Sequence, residues 1–312
     1  MITIFSCPKP FRDHINIIQR NAIKSWTLLN PKPEIILLGD DLGVAEICRE
    51  FNLVHIPGIE KNQYGTPLVS SIFQCAQEVA SYSVVCYANA DIILMSDFIS
   101  TLKTVSSRMS KFLLTGQRWN VDVSKVWDFD SPDWESSLCS YVDQNGELYS
   151  PKAIDYIVFP RGMYTDIPSF ALGRFFWDSW LIYHACKLRV PIVDATLSNR
   201  VVHQNHSYVP GIYTKMGQKE IKMGPEGEAN SALAGYQVVF FGLGQANWKL
   251  SKLGLIKRNR RVSSLRDLLV GAVVLNLSLR ISNPLLRAVR RVVKAIKGED
   301  NTSYNIITNR LK

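Results

Sequence analysis

The sequence predicts an α/β fold, namely a Rossmann-type α/β/α sandwich with a mostly parallel central sheet and a basic helical extension at the C-terminus. Three observations lead to this prediction. Residues 1 to about 100 alternate short apolar runs with segments of helical periodicity, which is typical of strand–helix–strand units. The connections between them are short. The chain has 312 residues, of which 46% are hydrophobic and 20% charged, so it can form one large core.

The first strand–helix unit is predicted before residue 34. The apolar run at residues 2–5 predicts a strand. A helix is predicted over residues 14–29, because apolar side chains recur there at helical spacing and Pro31 and Pro33 end the pattern.

Two further units follow in the same order. Strands are predicted at residues 34–38 and 53–56, with a helix over residues 44–51 between them. A third helix over residues 67–81 leads to a nearly continuous apolar run at residues 83–87, which is typical of a strand in the middle of a parallel sheet. Beyond residue 110 the pattern becomes irregular, which predicts a substrate-binding half of long loops and short antiparallel strands.

The basic residues divide the chain into two predicted parts, a domain at residues 1–250 and an extension at residues 251–312. The net charge is +9, but residues 251–312 alone hold 14 basic and 3 acidic residues. The charge is therefore confined to the extension, and no nucleic-acid partner is expected. Residues 257–297 begin with a basic cluster, continue through an apolar run and end with basic residues among apolar ones, which predicts either helices on an anionic membrane surface or a helical hairpin packed on protein.

Several classes of protein are disfavoured. A GxGxxG fingerprint and a GxxxxGK[ST] loop are missing after the first strand, which argues against a dehydrogenase and a P-loop kinase. The longest apolar stretch, residues 268–279, is too short to cross a bilayer. Six scattered cysteines without a CxxC pair indicate reduced thiols, and the first residues do not look like a signal peptide. A cytoplasmic location is expected, with peripheral attachment to the inner face of the membrane through the extension.

Asn89 and Asp91 follow the predicted central strand, two positions apart. Ligands of open α/β sheets bind at the carboxyl ends of such strands. Both side chains are expected to point to the same side, where an amide oxygen and a carboxylate can coordinate Mg²⁺ or Mn²⁺. The alternative is an Asn/Asp pair that caps the next turn.

This motif, together with residues 5–11, 19–26 and 35–40, resembles the nucleotide-diphospho-sugar transferases of the GT-A type, in which a strand ends in a DxD-like motif. The resemblance covers residues 1 to about 250. It implies a GT-A-like fold, a nucleotide-sugar donor, and a bound divalent cation. Asn89 replaces the first aspartate of the motif, which removes one charge from the metal site and puts metal dependence in question.

The resemblance also implies roles for other residues. By position, Lys9, Arg12 and Asp40 are expected to hold the nucleotide together with Asn89 and Asp91. Asp178, at a predicted helix start, is the expected general base of an inverting reaction, or else only an N-cap. The neighbouring side chains of Trp177 and Trp180 are expected either to stack on sugars or to belong to the core.

Four more side chains are candidates. Asp155 interrupts an apolar run at residues 153–163, where it is expected to bind sugar hydroxyls or to form an ion pair, with Arg161 pairing to it or to phosphate. His203 and His206 are expected in a loop, where they could share a metal with Asp91 and Asn89, contact diphosphate, or be ordinary loop residues.

A glycine-rich segment at residues 224–235 is predicted to form a lid over the donor, with Glu228 and Asn230 as its polar contacts. A lid would exclude water, because hydrolysis of an activated sugar competes with its transfer.

The function predicted from the sequence is transfer of a sugar from a nucleotide-diphosphate donor to a hydroxyl of a glycan or lipid-linked glycan, in cell-surface polysaccharide synthesis. Two alternatives stay open. One is a non-catalytic carbohydrate- or membrane-binding protein with a decayed GT-A site. The other is a sugar nucleotidyltransferase, which normally has a glycine-rich loop after the first strand, whereas residues 6–10 contain no glycine.

Overall fold

The computed structural model describes residues 1–206, 224–235, 238, 241–251 and 254–258. The strands are β1 Thr3–Ser6, β2 Glu34–Leu38, β3 Val54–Ile56, β4 Val84–Ala88, β5 Ile92–Ile93, β6 Leu113–Thr115, β7 Arg118–Val121, β8 Glu147–Leu148, β9 Tyr156–Pro160, β10 Ile192–Asp194, β11 Val201–Gln204, β12 Trp248–Ser251 and β13 Gly254–Lys257. The helices are α1 Asp13–Thr27, α2 Val44–Phe51, α3 Val69–Val79, α4 Ser96–Ser106, α5 Trp134–Asn145, α6 Trp177–Lys187 and α7 Gly224–Ala234, with a 3₁₀ turn at Leu243–Gln245.

Nine strands form the central sheet in the order β13-β12-β10-β6-β9-β4-β1-β2-β3. Strands β3, β2, β1 and β4 pair in parallel, as do β6, β10 and β12. Strands β9 and β13 are antiparallel to their neighbours. The predicted α/β sandwich with a mostly parallel sheet is confirmed, and its topology is Rossmann-like.

Both faces of the sheet are covered. Along β1 and β4, alternate residues point to opposite faces. Phe5 and Tyr87 belong to one buried cluster, and Ile4 and Cys86 belong to the other. Burial on both sides explains why these strands are continuously apolar in the sequence.

The second half of the chain differs from the prediction. Beyond residue 110 the sequence predicts loops and short antiparallel strands, but β6, β10 and β12 extend the parallel part of the central sheet. A second sheet, in the order β5-β11-β7-β8, packs on α5 through a third buried cluster. Three-residue strands are too short to show a clear period, which is why the sequence pattern looks irregular.

The predicted boundary at residue 250 falls inside the last hairpin of the sheet. Strand β13 pairs antiparallel with β12, so the residues from 254 to 257 form a strand rather than the start of a helical extension. Residues 259–312, which hold most of the predicted extension, lie outside the described residues. Among the helices that are described, none has the length and apolar character needed to span a bilayer.

Candidate metal centre

The site lies where the chain leaves the carboxyl end of β4. Asn89 to Ile92 form a turn closed by a hydrogen bond from Ile92 N to Asn89 O of 3.1 Å. Two hydrogen bonds with helix α1 hold this turn in place. Trp26 Nε1 donates to Ile92 O at 2.8 Å, and Leu94 N donates to Ser25 Oγ at 3.1 Å. The position of Asp91 within the turn is therefore held by buried side chains of α1.

Strand β11 brings the second part of the site to this turn. It pairs antiparallel with β5, and His203 lies opposite Ile92. Gln204 Nε2 donates to Asp91 O at 3.1 Å, and Gln204 Oε1 accepts a hydrogen bond from Asn21 Nδ2 of α1 at 2.9 Å. The sequence places His203 in a loop, but the structure places it in this strand.

Asp91, His203 and His206 converge. Each offers one ligand atom, and these atoms lie within 4.8 Å of one another. Asp91 Oδ2 is 3.1 Å from His206 Nε2 and 3.7 Å from His203 Nε2. All three side chains are largely buried, so the cluster is a preformed set of one oxygen and two nitrogen donors.

The electrostatics of the cluster favour an ionised Asp91 carboxylate beside a neutral His203 ring. Burial acts to raise the pKa of Asp91, but the charges of His203, His206 and Lys9 and the hydrogen bond with His206 outweigh it, so the pKa lies well below its ordinary value. Burial also lowers the pKa of His203. An ionised carboxylate and a neutral imidazole are the forms that bind metal ions.

The residues fit a divalent cation. Asp91 Oδ1 and His203 Nδ1 are buried and have no hydrogen-bond partner among the residues that the structure describes. Buried polar groups of this kind are normally satisfied, so an unpaired carboxylate oxygen in the cluster is consistent with a site for a ligand. A set of two imidazoles and one carboxylate suits Mn²⁺ and other transition metals better than Mg²⁺, which prefers oxygen ligands.

Asn89 does not have the expected position. Its Oδ1 accepts a hydrogen bond from Tyr87 OH at 3.0 Å, and its Nδ2 donates to Asp155 Oδ1 at 3.0 Å. The prediction of a shared side with Asp91 assumed a continuing strand, but the chain turns after Ala88. The amide therefore positions Asp155 instead of joining the donor set, and the proposed metal ligands are Asp91, His203 and His206 without Asn89.

Asp155 lies immediately before β9 and forms a buried ion pair with Arg118, each side chain being 7% exposed. Arg118 Nε also donates to Asn120 Oδ1, and its guanidinium lies 4.6 Å from the ring centre of Tyr149. Asp155 Oδ2 is buried, and within the described part of the chain it has no hydrogen-bond partner. The charges of Asp155 and Arg118 both act on His203, so the pair borders the metal cluster.

Sequence reasoning missed Arg118. Arg118 and Asn120 follow the apolar run at residues 112–115 and are two positions apart within β7, so they share one face. The same signal, polar residues just after a buried strand, identified Asp91. Because the strands around residue 115 are short, this signal was not recognised at Arg118.

Asp178 lies in the first turn of α6, as the sequence predicts, and its Oδ1 accepts a hydrogen bond from Ser179 N at 2.8 Å. Burial, with a smaller contribution from the charge of Asp155, raises the pKa of Asp178 to about 6. The charge of Asp178 in turn acts on the hydroxyl of Tyr87. The carboxyl group of Asp178 therefore lies near the side chains of Asn89 and Asp155, and its pKa is closer to neutral pH than that of an ordinary aspartate.

Trp177 and Trp180 are core residues, 6% and 8% exposed. The Trp177 ring packs edge-on against Tyr87 at 5.2 Å, and the Trp180 ring stacks on His184 at 4.7 Å. The expectation that they form stacking surfaces for a sugar is wrong, because the first turn of α6 points its aromatic side chains at the sheet.

Arg161 lies at the opposite end of β9 from Asp155. Its backbone N donates to Ser83 O, and its guanidinium donates to Ala80 O, both before the start of β4. Because β9 is antiparallel to β4, a residue that follows β9 lies at the amino end of the parallel strands. The predicted pairing with Asp155 or with phosphate is therefore wrong.

The three residues expected at the nucleotide differ in their surroundings. Lys9 is exposed, and its charge reaches Asp91. Arg12 is exposed at the start of α1. Asp40 Oδ1 is 2.5 Å from Lys61 Nζ, and this contact holds the pKa of Asp40 below its ordinary value. Their role at a nucleotide stays a prediction.

Residues 224–235 contain a helix, α7, that is tied to the body of the protein. Asn230 is buried and pairs with the backbone of Ala171 through both of its side-chain atoms. Arg174 Nη2 lies 2.5 Å from Glu226 Oε2, and Asn62 donates to Glu226 Oε1 at 2.7 Å. Asn230 is thus an anchor of α7 rather than a contact to a donor, whereas Glu228 is exposed.

Fold and donor set together define an α/β protein with a mostly parallel central sheet and a candidate metal centre at the end of its central strand. No protein-family profile matches the chain, and no curated protein matches it. Solved structures do match. TarS 1–349 of S. aureus in complex with UDP-GlcNAc is 9% identical with a TM-score of 0.43, and the match covers 67% of this chain and 59% of that chain, which is less than two thirds of its length.

Two other matches are similar in extent. Glucosyl-3-phosphoglycerate synthase of M. tuberculosis, in complex with Mn²⁺, UDP and glucosyl-3-phosphoglycerate, is 14% identical with a TM-score of 0.42, over 66% of this chain and 73% of that one. A provisionally assigned nucleotide-diphospho-sugar transferase of Desulfovibrio desulfuricans G20 is 9% identical with a TM-score of 0.42, over 75% and 96%. At these identities and TM-scores, the likeness assigns neither a substrate nor a reaction to this chain.

Proposed function

We propose that the chain is a metal-dependent glycosyltransferase that moves a sugar from a nucleotide-diphosphate donor to a hydroxyl of a glycan or lipid-linked glycan. The observation that carries this proposal is the convergence of Asp91, His203 and His206 at the carboxyl end of a central parallel strand. Open α/β sheets bind their ligands at that edge. A divalent cation held there would neutralise the charge that develops on a diphosphate leaving group.

The proposed roles follow from the surroundings of each side chain. Asp91, His203 and His206 would hold the cation, for which the donor set favours Mn²⁺ over Mg²⁺. Lys9, whose charge already acts on Asp91, would add positive charge beside the diphosphate. Asp155 is held in place by Arg118 and Asn89. Its buried Oδ2, which has no partner among the described residues, could accept a hydrogen bond from a sugar hydroxyl.

Asp178 is proposed as the general base. A base works best when its pKa lies near the working pH, and the pKa of Asp178 is raised to about 6. In an inverting transfer it would take the proton of the acceptor hydroxyl while the bond to the diphosphate breaks. A preformed donor set also argues against a decayed, non-catalytic site, since burying two imidazoles beside a carboxylate is costly without a ligand.

Cell-surface polysaccharide synthesis and attachment to the membrane remain part of the proposal. They rest on the basic composition of residues 251–312, most of which lie outside the described residues.

The test is thermal stabilisation of the purified full chain by UDP, GDP, dTDP, CDP and ADP and their common sugar conjugates, with and without Mn²⁺. A ligand that binds only the folded state raises the unfolding temperature. We expect one nucleotide class to stabilise the protein in the presence of Mn²⁺, and Asp91→Ala to abolish this shift. The control Asp128→Ala changes an exposed aspartate and should keep it. No shift with any nucleotide would refute the proposal.

A further inference from the structure

Asn89 is held to Asp155 at two points. Its backbone N donates to Asp155 O at 2.9 Å, and its side-chain Nδ2 donates to Asp155 Oδ1 at 3.0 Å. The other end of the amide is also bonded, since Oδ1 accepts a hydrogen bond from the hydroxyl of Tyr87 at 3.0 Å. The first residue of the turn that carries Asp91 is therefore fixed to the residue that precedes β9.

The two neighbours of the amide determine its direction. Asp155 is paired with Arg118, so its Oδ1 is an acceptor and needs a donor from Asn89. The hydroxyl of Tyr87 is the donor on the other side. Burial holds the pKa of Tyr87 well above its ordinary value, so this hydroxyl keeps its proton. An amide, which has both a donor and an acceptor, satisfies the two neighbours at once.

An aspartate in place of Asn89 could not make the contact with Asp155. Both of its oxygens accept, so one of them would face Asp155 Oδ1 across the 3.0 Å of the present hydrogen bond without a proton between them. Two carboxylates at such a distance repel unless one of them takes up a proton. Asp91 and Asp178 add negative charge to these surroundings, because both act on the hydroxyl of Tyr87. The asparagine is thus matched to the carboxylate of Asp155.

The segment before β9 also holds the proposed general base. Burial raises the pKa of Asp178 to about 6, and a hydrogen bond from the backbone N–H of Ile154, which directly precedes Asp155, acts against this rise. Trp177, the residue before Asp178, packs its ring edge-on against Tyr87 at 5.2 Å. The base is therefore connected to the amide in two ways, through residues 154–155 and through the ring of Tyr87.

We propose that Asn89 is a positioning residue, which holds the start of β9 and so sets the distance between the metal ligand Asp91 and the general base Asp178. This role rests on the proposed transferase function and deepens it, since it concerns the alignment of metal and base at the same site. The base must reach the acceptor hydroxyl while the cation holds the leaving diphosphate, so the reaction depends on that alignment. Asparagine is then required at this position and is not a sign of a decayed site.

The first test uses Asn89→Ala, which removes the amide and leaves the backbone hydrogen bond to Asp155 in place. Titration of Mn²⁺ followed by electron paramagnetic resonance should give the wild-type affinity, because Asn89 is not a metal ligand. The KM for the nucleotide sugar that stabilises the wild type should also be unchanged. We expect kcat to fall by about 100-fold, the order of the loss when a reacting group is displaced by about 1 Å.

The second test determines whether Asn89 acts through the base. In Asp178→Asn the base is already absent, so the addition of Asn89→Ala should lower kcat little further. A side chain that only stabilised the fold would give the same loss in both backgrounds. Asn89→Asp, which introduces the aspartate typical of the motif, should also lower kcat. The control Asn145→Asp makes the same charge change at an exposed site and should keep the wild-type kcat.

Weaker Mn²⁺ binding in Asn89→Ala would make Asn89 a metal ligand and overturn the proposal. A kcat of Asn89→Asp equal to or above that of the wild type would also overturn it, as would equal losses in the two backgrounds. All three results leave the proposed transferase function intact. If the wild type binds no Mn²⁺ and transfers no sugar, the proposed function itself is wrong, and the positioning role fails with it.

Discussion

Asp91 Oδ2 lies 3.1 Å from His206 Nε2, although 115 positions separate the two residues in the chain. The contact depends on the pairing of β11 with β5, which returns the chain to the turn after the central strand. Neither residue alone forms a site, and the proposed metal centre exists only through this pairing.

The first prediction concerns metal affinity. Titration of Mn²⁺ followed by electron paramagnetic resonance should show one bound ion per chain. His203→Ala should weaken binding at least about 10-fold, because even residues that only orient metal ligands contribute this much. His55→Ala is the matched control, since its ring is engaged with Gly39 O at 2.9 Å on another part of the sheet. Equal affinities in both variants would exclude His203 from the metal centre.

The second prediction concerns the pH dependence of transfer. Asp178 must be ionised to accept a proton. We therefore expect kcat/KM to be low in acid and to rise with pH, with its midpoint at an apparent pKa of about 6. The charge of Asp155 acts on Asp178, and the charge of Asp178 acts on the Tyr87 hydroxyl.

Asp178→Asn should lower kcat by about 100- to 10,000-fold, the usual contribution of a general base, and remove the acidic limb of the profile. Donor-dependent thermal stabilisation should persist in this variant, because Asp178 is not among the proposed metal ligands. A variant that keeps full activity would eliminate Asp178 as the base.

The third prediction concerns the buried ion pair of Arg118 and Asp155. Arg118→Leu leaves the Asp155 carboxylate buried without its cation, which should lower the free energy of unfolding by about 3–5 kcal/mol in urea denaturation. Arg20→Leu breaks the partly exposed pair with Glu50 and should cost about 0–1 kcal/mol. Similar losses in the two variants would contradict the burial of the Arg118 pair.

The fourth prediction concerns stability and pH at Asp97. Burial, with a contribution from the charge of Glu135, raises the pKa of Asp97 to about 6, against the opposing effect of Arg200. The folded state then binds a proton more tightly than the unfolded state, so this group lowers stability as pH rises from about 4 to about 6.

Asp97→Asn should remove that loss. Relative to the wild type, its free energy of unfolding should increase by about 1–3 kcal/mol between pH 4 and pH 7, measured by urea denaturation at each pH. The exposed control Asp166→Asn should show no such trend. A pH-independent difference between Asp97→Asn and the wild type would mean that the pKa of Asp97 is not raised.

Local patterns were sufficient for the first half of the fold. The helical spacing after residue 13 and the apolar runs of β1, β2 and β4 predict elements whose ends differ from the observed ones by at most two residues. Position at the end of β4 was also enough to single out Asp91. These features depend on neighbouring residues in the chain, and such signals are readable from sequence.

The errors arose where distant contacts decide. Asn89 binds Asp155, and Trp177 packs on Tyr87, because of how β9 and α6 approach the sheet. Arg161 was assigned to the wrong edge because the sequence does not show that β9 is antiparallel. Arg118 was missed because the strands around it are short, and its pairing with Asp155, 37 positions away, is visible only in the fold.

The sequence by itself determined the α/β class, the central strand and the carboxylate at its end, since these follow from apolar periodicity and from a polar residue directly after a buried run. Only the tertiary structure decided which side chains join Asp91, which carboxylate is paired and which tryptophans are core. Those outcomes depend on strand pairing and direction between segments up to 115 residues apart. Local side-chain chemistry does not encode that pairing, because many registers of the same apolar strands would bury similar surface.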